Sequence, residues 1–170
     1  MFTAAAAAQT AQKPRPPEEI LDYHMTNEKA GVASEGRALY EARCSTCHRF
    51  GAIGRDVGPD LTTLASRFKR KDVLEAILWP SKVISDQYQA EIFELNDGKT
   101  VAGFIVRETA KAVLVRTADN PDKPVVVTLA NVANRVPSEM SLMPAALIDD
   151  LSDKQIADLL AFVLAPPPDK

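Results

Sequence analysis

The residues of this chain that could carry specific chemistry lie together in the segment Cys44-Ser45-Thr46-Cys47-His48. The chain has only two cysteines, and they are three positions apart with a histidine directly after the second. This Cys-x-x-Cys-His pattern is typical of covalent haem attachment. Two thiols about one turn apart can each add to a vinyl group of the same haem, and the neutral imidazole of His48 suits iron as the proximal ligand. We therefore predict one covalently attached haem c, held by Cys44 and Cys47.

Other interpretations of the same residues are open. A structural zinc site needs four ligands, and His24 is the only further imidazole in the chain. A thioredoxin-like redox pair needs a strand–helix–strand context, whereas the residues before Cys44 favour a helix. A lone structural disulfide or a chance match would need no cofactor. The motif itself is short, but its context favours haem attachment, and we adopt that interpretation.

A haem iron with one histidine ligand is commonly completed by a methionine thioether, so the methionines are the next candidates. The chain has four: Met1, Met25, Met140 and Met143. The last two lie in a loop before the C-terminal helix, and the proline after Met143 favours an extended backbone there. We predict His48 and Met143 as the two iron ligands, with Met140 and His24 as alternatives to Met143. We expect His24 to be exposed in a poorly ordered N-terminal segment.

Helical patterns lie on both sides of this motif. Residues 35–47 are compatible with one helix, and residues 61–68 and 72–79 with two shorter ones, the second of which stops before a proline. Ser152 and Gln155 form a capping-box sequence, and the helix that they open carries an apolar face. These elements predict a mainly α-helical domain around the haem.

The pattern changes to a period of two between Tyr88 and Leu129. Asp97-Gly98 is the strongest hairpin signal in the chain, and short runs rich in β-branched residues follow it. We predict four short antiparallel strands that form a small sheet or partial barrel, inserted at about residues 88–129. The predicted fold class is α+β, a mainly α domain with a β-insert.

Composition and charge limit the possible partners. The formal net charge is −3, and there is no extended basic face of the kind that binds nucleic acid, so we expect none. No apolar run approaches the length of a membrane span. Residues 1–33 are predicted to be a disordered leader, linker and N-terminal extension, and residues 34–170 a monohaem domain. An alanine-rich stretch near the N-terminus resembles the end of a secretory signal, which suggests export.

With these residues in view, the sequence resembles the class I cytochromes c. Gly36 and Tyr40 precede the haem motif at that family's spacing, and in the family the glycine lets the N-terminal helix cross the C-terminal helix closely. Phe162 resembles the aromatic residue on the C-terminal helix. Pro59 resembles the loop proline whose carbonyl orients the proximal histidine, and Met143 with its following proline matches the axial methionine. The resemblance implies a cytochrome c fold and adds Pro59 to the cofactor site.

A closer resemblance, from residue 36 to residue 164, is to the haem-binding domain family of the Pirellula/Verrucomicrobium type. The stretches that carry it are residues 39–48, 57–61, 74–81, 96–98 and 141–144. Such modules are often joined to larger exported proteins with dehydrogenase-like domains. The resemblance implies redox protein partners, which could include an exported dehydrogenase.

The leading functional prediction is a c-type cytochrome, not an enzyme, that transfers single electrons between redox partners. The resemblance to c-type cytochromes implies haem attachment outside the cytoplasm, so we expect a periplasmic or otherwise exported protein. An alternative is a haem enzyme or gas sensor with an open or displaceable sixth site. A third possibility is a detached module that takes electrons from a dehydrogenase subunit.

Overall fold

The computed structural model describes residues 13–27 and 29–168. Within these residues four α-helices precede the five-stranded sheet and one follows it. Their bounds are α1 Pro17–Thr26, α2 Ala33–Arg43, α3 Leu64–Arg67, α4 Arg70–Leu78 and α5 Asp153–Val163. No helix in this part of the chain has the length and apolar character needed to cross a membrane.

The strands form two antiparallel sheets. A short hairpin directly follows His48, and each of its strands has two residues: β1 Arg49–Phe50 and β2 Ile53–Gly54. The larger sheet has the order β6-β5-β4-β3-β7. Its strands are β3 Glu91–Leu95, β4 Thr100–Glu108, β5 Ala112–Arg116, β6 Val125–Thr128 and β7 Val132–Pro137. Short 3-10 turns lie at Asp86–Tyr88 and Leu129–Asn131.

Helices α2 and α5 cross at a glycine. A Cβ atom built on Gly36 would overlap the backbone carbonyl of Asp158 and would lie 2.8 Å from Cβ of Phe162. One turn later on α2, the Tyr40 ring packs against Phe162 with centroids 5.4 Å apart, and Phe50 lies 5.2 Å from Phe162. The structure thus has the close crossing and the aromatic packing that the resemblance implies.

The start of α5 contributes polar contacts that fix this crossing. The capping box predicted there is confirmed, because Ser152 Oγ accepts from the backbone of Gln155 and the Gln155 side chain accepts from the Ser152 N–H at 2.9 Å. Farther along, the buried carboxylate of Asp158 accepts a hydrogen bond from the Val32 N–H at 2.8 Å. Since Val32 is the N-cap residue of α2 and its side chain makes no capping bond, Asp158 ties that end of α2 to α5.

The N-terminal segment differs from expectation. Residues 17–26 form a helix, and the prediction that His24 is exposed in a poorly ordered segment is wrong, since its side chain is 1% exposed. His24 Nδ1 lies 3.3 Å from Arg70 Nη2, and His24 Nε2 lies 3.7 Å from Asp153, which also pairs with Arg15. Contacts with α4 and α5 therefore order α1, although its own sequence has little apolar periodicity. Of the segment 1–33 predicted to be disordered, residues 1–12 and 28 lie outside the described residues.

The inserted sheet is larger than predicted. The Asp97-Gly98 hairpin is confirmed, with Gly98 at a φ of +82° between β3 and β4. The predicted end of the insert at residue 129 is too early, because β7 continues the sheet to Pro137 by pairing with β3. Most of β7 is exposed and it has no regular apolar alternation, so the strand forms through this long-range pairing and not through a local signal. The sheet has its own small core of Phe93, Val113, Val115 and Val127.

Candidate haem site

The two cysteines and the histidine lie on a turn that directly continues α2. The Cys44 N–H donates to the Tyr40 carbonyl at 2.8 Å, and the N–H groups of Cys47 and His48 both donate to the Cys44 carbonyl. The predicted helix over 35–47 therefore ends at Arg43, and the motif itself is a turn. Both cysteines are unbridged. This turn holds both thiols and the imidazole at one end of α2.

Burial keeps all three groups in their neutral form at neutral pH. It raises the pKa of the Cys44 thiol to about 11 and raises the pKa of the Cys47 thiol as well. Burial also lowers the pKa of His48, against a smaller opposing effect of the Pro59 carbonyl. The thiols are thus protonated, whereas the imidazole is unprotonated and can act as a metal ligand.

The His48 ring is oriented by a hydrogen bond to the Pro59 carbonyl. Nδ1 of His48 lies 2.7 Å from that oxygen. A carbonyl oxygen only accepts, so Nδ1 carries the proton and Nε2 keeps its lone pair. Such an outer hydrogen bond fixes the tautomer and direction of a metal-binding histidine. The contact implied by the resemblance is present, and Nε2 of His48 is the nitrogen that could bind iron.

Gly58 makes room for the same ring. A Cβ atom built at this position would lie 2.8 Å from Cε1, 3.1 Å from Nδ1 and 3.3 Å from Nε2 of His48. Any side chain there would push the imidazole away from its present position. The loop is held in place because the N–H groups of Val57 and Gly58 donate to the Cys47 carbonyl at 3.0 and 2.7 Å. This role of Gly58 is not evident from the sequence, in which the residue belongs only to the stretch 57–61 that carries the family resemblance.

Tyr40 contacts the backbone of the same histidine. Its hydroxyl donates to the His48 carbonyl at 2.6 Å, and the Arg55 N–H donates to the same oxygen at 3.3 Å. Burial, followed by the effect of Cys44, raises the pKa of Tyr40, so the phenol stays protonated and able to donate. The family spacing suggests Tyr40 as a packing residue, but not this hydrogen bond.

Met143 is part of the lining of a cavity of about 620 Å³. The lining is mostly apolar and includes Leu21 of α1, Leu78 and Trp79 at the end of α4, and both Met140 and Met143. The size lies in the usual range of cofactor and ligand pockets. Cys44, Cys47, His48 and Pro59 are not part of this lining. The pairing of His48 and Met143 on one iron therefore stays a prediction.

The two methionines differ in their surroundings. Met140 is 71% exposed, whereas Met143 is half-buried. The Met143 N–H donates to Ser141 Oγ, and the Ser141 N–H donates to Ser81 Oγ just beyond α4, both at 3.1 Å. These bonds attach the Met143 backbone to the end of α4, and the Met140 backbone is bonded in turn to Ser138. Both backbones are therefore held, and it is burial of the side chain that makes Met143 the better candidate for an iron ligand. The other rival, His24, is held by Arg70 and is not part of the cavity lining.

Comparison with known families bears on the first part of this site. Residues 33–100 match the family model described as Cytochrome c. The match contains Cys44, Cys47, His48 and Pro59 and does not reach Met143. It supports a cytochrome c assignment, which implies haem-based electron transfer, redox partners and a covalently attached haem c. No curated protein matches this chain.

The residues of the candidate site fit a covalently attached haem. The two unbridged thiols of Cys44 and Cys47 provide the bonds for covalent attachment, and His48 presents an imidazole nitrogen with a free lone pair. The space that a Cβ would take at Gly58 is taken by the His48 ring instead. Met143 adds a thioether, a donor that haem iron accepts.

Proposed function

We infer that this chain is a monohaem c-type cytochrome that passes single electrons between redox proteins and is not itself an enzyme. The observation that carries the proposal is the arrangement around His48. Its Nδ1–H donates a hydrogen bond to the Pro59 carbonyl, and its ring lies against Gly58. The two cysteines precede it on the same turn. A structural zinc site needs four ligands, and within the described residues no group of three or more His, Cys, Asp or Glu side chains could hold a metal ion. A simple disulfide would not need an oriented imidazole beside it.

Each proposed site residue has one role. Cys44 and Cys47 would hold the cofactor through thioether bonds, and His48 would bind the iron through Nε2. Met143 would supply the second iron ligand, which would close the site to small ligands and would favour a carrier over a gas sensor. When bound, haem c supplies reversible one-electron redox chemistry. The protein contributes the ligand types, their orientation and an apolar environment, which are the factors that set the reduction potential.

The assignment of the sixth ligand is tested by optical spectroscopy of the haem-matured protein. Met143→Ala should remove the weak far-red methionine-to-iron band of the oxidised protein and should allow cyanide to bind readily. Met140→Ala is the matched control, because it removes the same side chain from an exposed position on the same loop. If the band survives in Met143→Ala and disappears in Met140→Ala, then Met140 is the ligand. A wild-type protein without the band that binds cyanide at once would favour the open-site enzyme or sensor.

The proposal extends to location and partners. We propose that the protein is exported to the periplasm or an equivalent compartment, as cytochrome c domains typically are. The resemblance to the Pirellula/Verrucomicrobium type of haem-binding domain supports a partner of the exported dehydrogenase kind. Contacts between such redox partners are small and transient. Crosslinking in a native periplasmic extract would distinguish a dehydrogenase partner from a second small electron carrier.

A further inference from the structure

Arg43 joins the haem motif to the segment that follows Met143. It is the last residue of α2 and directly precedes Cys44. Its guanidinium donates to both carboxylate oxygens of Asp150, from Nη1 to Oδ1 at 2.6 Å and from Nη2 to Oδ2 at 2.9 Å. Nη1 also donates to the Leu147 carbonyl at 2.6 Å. One side chain therefore connects the turn that holds the thiols to the chain just after the methionine.

The pair of Arg43 and Asp150 is well defined. Their side chains are 28% and 36% exposed. A guanidinium that is bonded to both oxygens of a carboxylate adds a geometric specificity that a single surface ion pair lacks. The hydrogen bonds between them lower the pKa of Asp150 and raise the pKa of Arg43, so both groups are charged at neutral pH. The contact thus fixes a direction as well as a distance between the two segments.

The segment that Arg43 binds has little structure of its own to fix its path. Residues 143–150 contain no helix or strand. Ala146 has a φ of +63°, a conformation that a residue other than glycine keeps only when its surroundings enforce it. The carbonyl that Arg43 binds belongs to the next residue, Leu147, and the side chain of Ile148 is buried in the helical core. Arg43 therefore fixes the backbone between this buried anchor and the methionine.

The chain on the other side of Met143 is held by different contacts. The Met143 N–H donates to Ser141 Oγ, and the Ser141 N–H donates to Ser81 Oγ beyond α4. The loop that carries the methionine is thus attached to α4 before Met143 and to α2 after it. The second attachment is made by Arg43, the residue beside the first haem cysteine.

We propose that Arg43 is a positioning residue for Met143 as the second iron ligand. This inference rests on the proposed function. By joining the methionine loop to the thiol turn, Arg43 keeps the thioether available to the iron. Its loss should raise the fraction of molecules in which the second ligand site is open. The apparent affinity of an added ligand rises with the fraction of protein that is competent to bind it. Cyanide binding to the oxidised, haem-matured protein therefore measures the role of Arg43.

Four variants make the test specific. Arg43→Gln removes the charge and the two-point contact with Asp150, and Arg43→Lys keeps the charge alone. Asp150→Asn removes the partner's charge without changing the residue next to Cys44, so it still decides the question if Arg43→Gln fails to mature. Arg37→Gln is the matched control, because Arg37 is an exposed arginine of α2 whose ion pair is with Glu41 on the same helix.

The expected results follow from the two partners acting as one unit. Arg43→Gln and Asp150→Asn should each raise the affinity for cyanide by about tenfold or more and should weaken the far-red methionine-to-iron band. The double variant should exceed neither single variant, because each change alone already breaks the contact. Arg43→Lys should restore part of the wild-type behaviour, and Arg37→Gln should match the wild type.

A further variant separates positioning from a general loss of stability. The carboxylate of Asp158 binds Val32 and Lys154, so Asp158→Ala should destabilise the helical core without opening the iron. The proposal is overturned if Asp158→Ala raises the affinity for cyanide as much as Arg43→Gln does. It is equally overturned if Arg43→Gln and Asp150→Asn bind cyanide as the wild type does.

Failure of the proposed function would be visible in the wild type, before any variant is compared. A wild-type protein without covalent haem, or without the far-red band, would contradict the proposed carrier and would remove the ligand that Arg43 is proposed to position. A wild type with the band, beside variants with unchanged affinity for cyanide, would contradict only the role of Arg43.

Discussion

The crossing of α2 and α5 offers a quantitative test of the fold that carries the haem motif. The change is Gly36→Ala, which adds one methyl group where the two helices meet. That carbon would lie 2.8 Å from Cβ of Phe162 and would overlap the Asp158 carbonyl. Carbon atoms pack best at about 3.5–4.0 Å, so the helices must separate by about 1 Å. Neither obstacle can rotate away, because one is backbone and the other is a Cβ atom.

Two opposing energies decide the result. Overpacking costs about 1–3 kcal/mol, and a clash with backbone belongs at the upper end of that range. Alanine is better than glycine in a helix by about 1 kcal/mol. The expected net loss in the free energy of unfolding is therefore about 2 kcal/mol.

Urea unfolding of the haem-matured protein measures this loss. With a urea m-value of about 2 kcal/mol/M, the unfolding midpoint should fall by about 1 M. Ala38→Gly is the matched control, because Ala38 is exposed on the same helix and reports the helix preference alone, with an expected loss of about 1 kcal/mol. If Gly36→Ala is as stable as the wild type or more stable, the close crossing is refuted.

Two further predictions concern buried polar side chains of the helical core. Burial, and then Arg70, lower the pKa of His24 below its ordinary 6.5, so below that pH the unfolded chain takes up a proton that the folded protein resists. The free energy of unfolding should therefore fall as the pH drops from 6.5 through the lowered pKa of His24. In urea unfolding, His24→Gln should reduce this dependence of stability on pH. The same pH dependence in the variant and the wild type would contradict the prediction. Asp158→Ala leaves the Val32 N–H without its acceptor and should cost about 1–3 kcal/mol, whereas Lys154→Ala, at a residue 71% exposed, should cost at most about 1 kcal/mol. Equal losses in thermal unfolding would mean that the ion pair, and not the bond to α2, is what matters.

Local signals predicted the elements whose structure is local. The Asp97-Gly98 hairpin and the capping box at Ser152 follow from residues a few positions apart, and both are present. Strand β7 and helix α1 could not be predicted in this way. The first forms by pairing with β3 across a long stretch of chain, and the second is ordered by contacts of His24 with α4 and α5.

The candidate site shows the same division. Cys44, Cys47 and His48 follow from their spacing, and the family resemblance led to the Pro59 carbonyl. The space at Gly58 and the hydrogen bond from the Tyr40 hydroxyl to the His48 carbonyl appear only once the chain folds around the histidine. A single sequence contains no local pattern for either, because each depends on what lies beside the residue in three dimensions.

The central claim is that Cys44 and Cys47 hold one haem covalently, and the intact mass of the protein tests it most directly. The protein should be produced with a c-type haem maturation system and measured under denaturing conditions, beside the Cys44→Ala/Cys47→Ala double variant. We expect the wild-type mass to equal that of the polypeptide plus one haem, and the double variant to lack that addition. A wild-type mass equal to the polypeptide alone would contradict it.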